Sequence, residues 1–232
     1  MHRIACFKLI VFAAACGCSK TTEPSPEPPD SPATSGTEPL PVTTPGPADD
    51  RPIILAFGDS LTAGSGLPPG SGYPEMLQAE LDKQGYRYRV VNAGVGGDTT
   101  GGGIARLQSG VDLHPEIVVL ELGANDGLRG LPMDSMQANL EEMIVAFQKG
   151  GARVILAGMT LPRNFGPEYI GAFEKVYPTL AAKHKVALIP FFLEGAAGKP
   201  ELNLEDGIHP NEAGYRFVTA NVLKYLEPMI KK

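Results

Sequence analysis

Residues 53–64 read IILAFGDSLTAG, an apolar run that stops at Gly58, Asp59 and Ser60. A hydrophobic stretch without a polar break describes a strand buried on both faces, as in a parallel sheet, rather than one with a wet side. Four more runs share that texture: Tyr88 to Asn92, Ile117 to Leu122, Val154 to Gly158 and Val186 to Phe191. Helical stretches separate them. The most regular spans Met133 to Lys149, where Met136, Leu140, Met143, Ile144 and Phe147 recur at helical spacing before Gly150-Gly151. Others are expected over Pro74 to Gln84, Gly103 to Gln108, Pro167 to Lys183 and Asn211 to Leu226. Pro178 should kink or divide the Pro167 segment. Alternating β and α units joined by right-handed crossovers give an α/β protein, a three-layer α/β/α sandwich around five parallel strands.

The chain has 232 residues, 43% of them hydrophobic, and a formal net charge of -6. That suits one globular domain, residues 51–232, with an extension before it. The acidic balance and the lack of a Lys/Arg cluster argue against a nucleic-acid partner. All three cysteines, Cys6, Cys16 and Cys18, precede the domain, so no disulfide or thiol metal site is expected within it. Residues 1–18 have the layout of an export signal, with His2, Arg3 and Lys8 around a short apolar core that ends in small residues. The stretch Ala-Ala-Ala-Cys-Gly-Cys (13–18) resembles a lipoprotein signal, with Cys16 ahead of Cys18 as the lipidated residue; plain secretion is the alternative. Residues 19–50, rich in Pro, Ser, Thr and Glu, have almost nothing to bury and read as an extended tether between a membrane and the domain. An exported protein at the periplasmic face of a bacterial membrane is expected, and a monomer.

In an open parallel sheet, ligands bind beyond the carboxyl ends of the strands. The first run ends in Gly58-Asp59-Ser60, the second in Asn92-Ala93-Gly94-Val95-Gly96-Gly97-Asp98 and the third in Gly123-Ala124-Asn125-Asp126-Gly127. After the fifth, Asp206-Gly207-Ile208-His209-Pro210-Asn211 precedes the last helix. A serine hydroxyl is a weak nucleophile at neutral pH. It needs an imidazole to take its proton and a carboxylate to fix the tautomer of that imidazole. Ser60, His209 and Asp206 have the required types. The oxyanion formed on attack needs donors, which the N–H groups of Ser60 and Gly97 and the side chain of Asn125 can supply. The glycine-dense stretch 94–103 lacks the Gly-Lys-Ser/Thr of a phosphate loop. No Gly-x-Ser-x-Gly elbow surrounds Ser60. His114 and His184 read as surface or capping residues. Glu121, an acid at the end of a buried strand, either braces the catalytic loops through hydrogen bonds or emerges at the sheet edge.

These blocks resemble the SGNH, or GDSL, hydrolase superfamily across residues 52–230. Glu-Leu-Gly-Ala-Asn-Asp-Gly-Leu-Arg-Gly (121–130), Leu-Pro-Arg-Asn-Phe-Gly (161–166) and Ile-Pro-Phe-Phe-Leu (189–193) look like its bacterial acyl-CoA thioesterase, lysophospholipase and arylesterase subgroup. The resemblance implies a flavodoxin-like sandwich and a serine esterase that uses no metal and no cofactor. It implies Ser60, Asp206 and His209 as the triad, and Ser60, Gly97 and Asn125 as oxyanion donors. The segment from Asp126 to Leu131 would form a mobile loop beside an acyl groove, so Asp126, Gly127 and Leu128, with Leu161, are expected to bind substrate. Small-molecule or lipid esters and thioesters are the expected substrates. A carbohydrate deacetylase of the same superfamily and a catalytically silent, lipid-anchored binding module are the alternatives.

Overall fold

The computed structural model describes residues 49–232, so the expectations for the signal, Cys16, Cys18 and most of the tether lie outside the described residues. Five strands form one parallel sheet: β1 (Ile53–Gly58), β2 (Arg89–Gly94), β3 (Ile117–Glu121), β4 (Arg153–Ala157) and β5 (Ala187–Ile189). Their order is β2-β1-β3-β4-β5, and every pairing is parallel. This is the flavodoxin-like order, with its switch point at β1, where the chain turns from β2 on one side to β3 on the other. The central strands are the most apolar because both of their faces are covered: Ile54 to Ala56 and Ile117 to Leu120 are fully buried. β5 is shorter than its apolar run, since Pro190 has no N–H to continue the ladder.

Helices cover both faces: α1 (Ser60–Ala63), α2 (Tyr73–Lys83), α3 (Thr100–Ala105), α4 (Leu107–Val111), α5 (Ala124–Leu128), α6 (Met133–Lys149), α7 (Pro167–His184) and α8 (Glu212–Leu226). α2 packs beside α8, while α6 packs with α3 and α7. Along α6 the residues at helical spacing, Met136, Leu140, Met143, Ile144 and Phe147, are all buried. Phe147 meets Phe57 of β1 edge to face, with ring centroids 5.4 Å apart. His184 closes α7 and reaches Glu141 of α6, Nε2 to Oε1, at 3.0 Å.

Pro178 does not divide α7, one of the two effects expected of it. Phe173, Val176, Tyr177, Leu180 and Ala181 are buried on both sides of it, so tertiary packing holds the helix through the missing hydrogen bond. The Thr179 hydroxyl donates to the Lys175 carbonyl at 2.7 Å, giving that carbonyl a side-chain donor beside the proline. The helix expected over Gly103 to Gln108 is instead two short ones, α3 and α4, meeting at Arg106.

Phe147→Ala would remove a ring from beneath the switch-point strand and should cost about 3–5 kcal/mol. Urea unfolding measures it; a loss below about 1 kcal/mol would mean that the α6 face does not carry the core as described.

Candidate active site

At the end of β1 the chain turns straight into α1, and Asp59 caps that turn by accepting the Leu61 N–H on Oδ1 at 3.0 Å. Ser60 therefore begins α1 at the sheet edge, half-exposed, directly over the switch point. Its partner comes from the far end of the chain. Asp206 Oδ1 accepts the N–H groups of Ile208 at 2.8 Å and His209 at 3.0 Å, folding residues 206–209 into a tight turn. The Leu204 N–H donates to the His209 carbonyl at 2.8 Å and closes the loop. Asn203 and Pro210 pair across its base, and Asn203 Nδ2 donates to the carbonyls of Ala196 and Lys199. Asn211 then caps α8, accepting the Gly214 N–H at 3.1 Å.

This turn places Asp206 Oδ2 2.7 Å from His209 Nδ1, and His209 Nε2 2.8 Å from Ser60 Oγ. The hydrogen bonds that the His209 backbone and ring and the Ile208 N–H make to Asp206 hold its carboxyl down at about 2. An ionised Asp206 can only accept, so Nδ1 carries a ring hydrogen, which in the neutral imidazole leaves Nε2 bare toward the Ser60 hydroxyl. The arrangement can draw a proton from Ser60 and stabilise the imidazolium that results.

The expected donors sit beside this line with one difference. Gly97 is exposed and takes φ of +80°, a backbone that side-chain-bearing residues rarely adopt. The Arg129 guanidinium donates to its carbonyl at 2.8 Å. Among the described residues, neither the Ser60 nor the Gly97 N–H has an acceptor. Asn125, by contrast, has both amide hydrogens engaged: Nδ2 donates to Asp59 Oδ2 at 3.0 Å and to the Asp98 carbonyl at 2.9 Å. An oxyanion would have to share one of them.

A cavity of about 400 Å³ opens on the site. Ser60, Asn125 and His209 form part of its wall, and Leu128, Met159, Leu161, Phe191, Leu193 and Ile208 supply most of the apolar remainder. Leu128 and Leu161 are therefore where the sequence expected them, whereas Asp126 and Gly127 do not line the cavity. Asp126 is buried, accepting the Thr100 N–H at 2.8 Å and the Thr100 hydroxyl at 2.6 Å. The reason is that Ala124 to Leu128 coil into α5 and turn that carboxylate inward, toward α3, where it ties the third block to the second. Sequence reading missed the cavity residues Met159, Phe191 and Leu193. Their signal was apolar side chains continuing just past β4 and β5. It also missed Arg106, which donates to the carbonyls of Gly58 (2.8 Å) and Ala93 (2.7 Å) and to Asp98 (2.7 Å), with its guanidinium 3.9 Å from the Phe57 ring centre. That side chain joins the ends of β1 and β2.

The depressed Asp206 pKa makes a testable statement about stability. A carboxyl ionising near 2 in the fold and near 3.8 outside it contributes stability that is fully present above about pH 4 and lost as pH falls through about 2. The advantage of wild type over Asp206→Asn in urea midpoint should therefore be level from pH 7 to 5 and shrink between about pH 4 and 2. An advantage unchanged across that window would contradict the hydrogen-bonded turn.

Residues 56–217 match the model of the GDSL-like lipase/acylhydrolase family. The chain is 46% identical over 178 residues to "Esterase TesA" of Pseudomonas aeruginosa, covering 76% of this chain and 89% of that protein. It is 40% identical over 178 residues to an "Arylesterase" of Vibrio mimicus, covering 75% and 89%. Among solved structures, a crystal structure of TesA superposes with a TM-score of 0.75 at 45% identity, covering 77% of this chain and 99% of that one. With the family's span reaching from β1 into α8, the chain belongs to the GDSL-like lipase/acylhydrolase family.

Proposed function

We propose that this carboxylic ester hydrolase works through an acyl-enzyme on Ser60 and acts on esters or thioesters with a medium or long apolar acyl chain. The observation that carries the proposal is the Ser60 Oγ, 2.8 Å from His209 Nε2, in the wall of a predominantly apolar cavity. Lysophospholipids, fatty-acyl thioesters and the aryl esters of longer acids present such a chain, and the relatives named esterase and arylesterase support the reaction class.

In the first half-reaction His209 Nε2 takes the Ser60 proton as Oγ attacks the acyl carbon. Asp206 stabilises the imidazolium. The carbonyl oxygen becomes an oxyanion, which the Ser60 and Gly97 N–H groups and Asn125 receive; losing one such donor typically costs about 100- to 1,000-fold in rate. His209 then gives its proton to the departing alkoxide or thiolate. In the second half-reaction the same imidazole deprotonates water, which attacks the acyl-enzyme, and the proton returns to Ser60 as the acid leaves. His209 must be neutral for the first step, because only a free ring-nitrogen lone pair can take the Ser60 proton.

On purified residues 51–232, p-nitrophenyl octanoate should exceed the acetate in kcat/KM by about tenfold or more, since each methylene placed in an apolar pocket adds discrimination. Ser60→Ala should lower kcat by about 10,000-fold or more. A preference for acetate would favour the deacetylase reading, turnover surviving in Ser60→Ala would exclude the acyl-enzyme, and no turnover in wild type would leave a binding module.

A further inference from the structure

Glu121, the last residue of β3, is fully buried, and nothing in the steps above uses it. Its Oε2 accepts from the Thr62 hydroxyl at 2.8 Å and from the Asp59 N–H at 3.3 Å. Among the described residues no hydrogen-bond partner reaches Oε1. A carboxylate sealed from water would seek donors on both oxygens, whereas a neutral acid needs them only on its carbonyl oxygen. The distribution of donors fits the second.

The surroundings agree. The Tyr177 phenol on α7 donates to the Leu122 carbonyl at 3.1 Å and the Tyr215 phenol on α8 to the Leu61 carbonyl at 2.9 Å, while the buried Tyr73 hydroxyl on α2 has no partner among the described residues, so none of the three donates to Glu121. The Arg106 guanidinium, which comes close enough to bond the Gly58 carbonyl, is spent on carbonyls and on Asp98. Donors converge instead on Asp59, which takes the Leu61 N–H on one oxygen and Asn125 Nδ2 on the other. Of the two acids, Asp59 is thus the better supported as an anion. Even Gly58 serves this packing: a Cβ there would lie 2.1 Å from Thr62 Oγ1 and 2.6 Å from Glu121 Oε2.

We infer that Glu121 is a positioning residue for the oxyanion donors, a neutral acid whose carbonyl oxygen holds the Asp59 N–H and the Thr62 hydroxyl, and through Asp59 the Asn125 side chain and the Ser60 turn. The inference rests on the reading of Ser60 as nucleophile. Burial pushes the Glu121 carboxyl well up, and the neighbouring Asp59 charge pushes it further. Neutrality also matters to the chemistry, because a second fixed negative charge beside Asp59 would oppose the oxyanion as it forms.

Glu121→Gln keeps the shape, the neutrality and the acceptor for the Asp59 N–H and the Thr62 hydroxyl, so kcat should stay within about threefold of wild type with an unchanged pH profile. Glu121→Ala should lower kcat about 10- to 100-fold with KM for the p-nitrophenyl ester nearly unchanged. The infrared difference spectrum of wild type minus Glu121→Gln at pH 7 should contain the carbonyl stretch of a protonated carboxylic acid. That reading decides the matter even if Glu121→Ala does not fold. The inference is overturned if that band is absent, if the Gln variant falls as far as the Ala variant, or if a folded Ala variant keeps full kcat. Failure of the Ser60 reading shows separately, as turnover persisting in Ser60→Ala while the infrared band remains.

Discussion

Ser60 and His209 are 149 positions apart in the chain, and the molecule is organised around the 2.8 Å between their side chains. Neither residue could hold that distance alone. Ser60 is fixed because β1 is the switch-point strand, paired on both sides and ending abruptly into α1. His209 is fixed because Asp206 ties down the backbone of the turn and the ring together, with one oxygen on the N–H groups and the other on Nδ1. A single carboxylate thus sets loop conformation, ring orientation and tautomer. The entropy of ordering the loop is met before any ester arrives, which is what preorganisation means in physical terms.

Buried polarity follows the same logic. Asp59, Thr62, Thr100, Glu121 and Asp126 are buried, and all five lie in or beside the blocks at the carboxyl ends of β1, β2 and β3. Burying such groups is costly unless they bond one another, and here they do: Thr62 with Glu121, Thr100 with Asp126, Asp59 with Asn125. The buried residues in the rest of the sheet are apolar and supply the stability against which this polar seam is held. The seam connects the first, second and third blocks laterally.

The sheet was legible because continuous apolar runs bounded by Gly, Asp and Asn carry a strong signal, and the five runs became the five strands. The candidate donor and nucleophile residues could be picked out because their chemical types fall at successive strand ends. What could not be read was direction. Asp126 and Leu128 are two positions apart in one short helix, yet one turns inward to Thr100 and the other lines the cavity. Only the coiling of α5 separates them, and a stretch of Ala-Asn-Asp-Gly-Leu looks like a loop on paper. That Pro178 does not divide α7 has a related reason: its local preference is real, but buried neighbours on both sides outweigh it. Glu121 was visible as an anomaly, and of the two roles open to it, its complete burial, with hydrogen bonds from the Asp59 N–H and the Thr62 hydroxyl, excludes emergence at the sheet edge.

The claim on which all of this turns is that the imidazole of His209 makes the Ser60 oxygen nucleophilic. Exposure of the protein to an organophosphonate ester, followed by peptide mass spectrometry, tests it at the reacting atom. The account predicts one adduct, on Ser60, formed at a rate that collapses in His209→Ala. An adduct on another residue, or equal labelling of Ser60 without the imidazole, would contradict it.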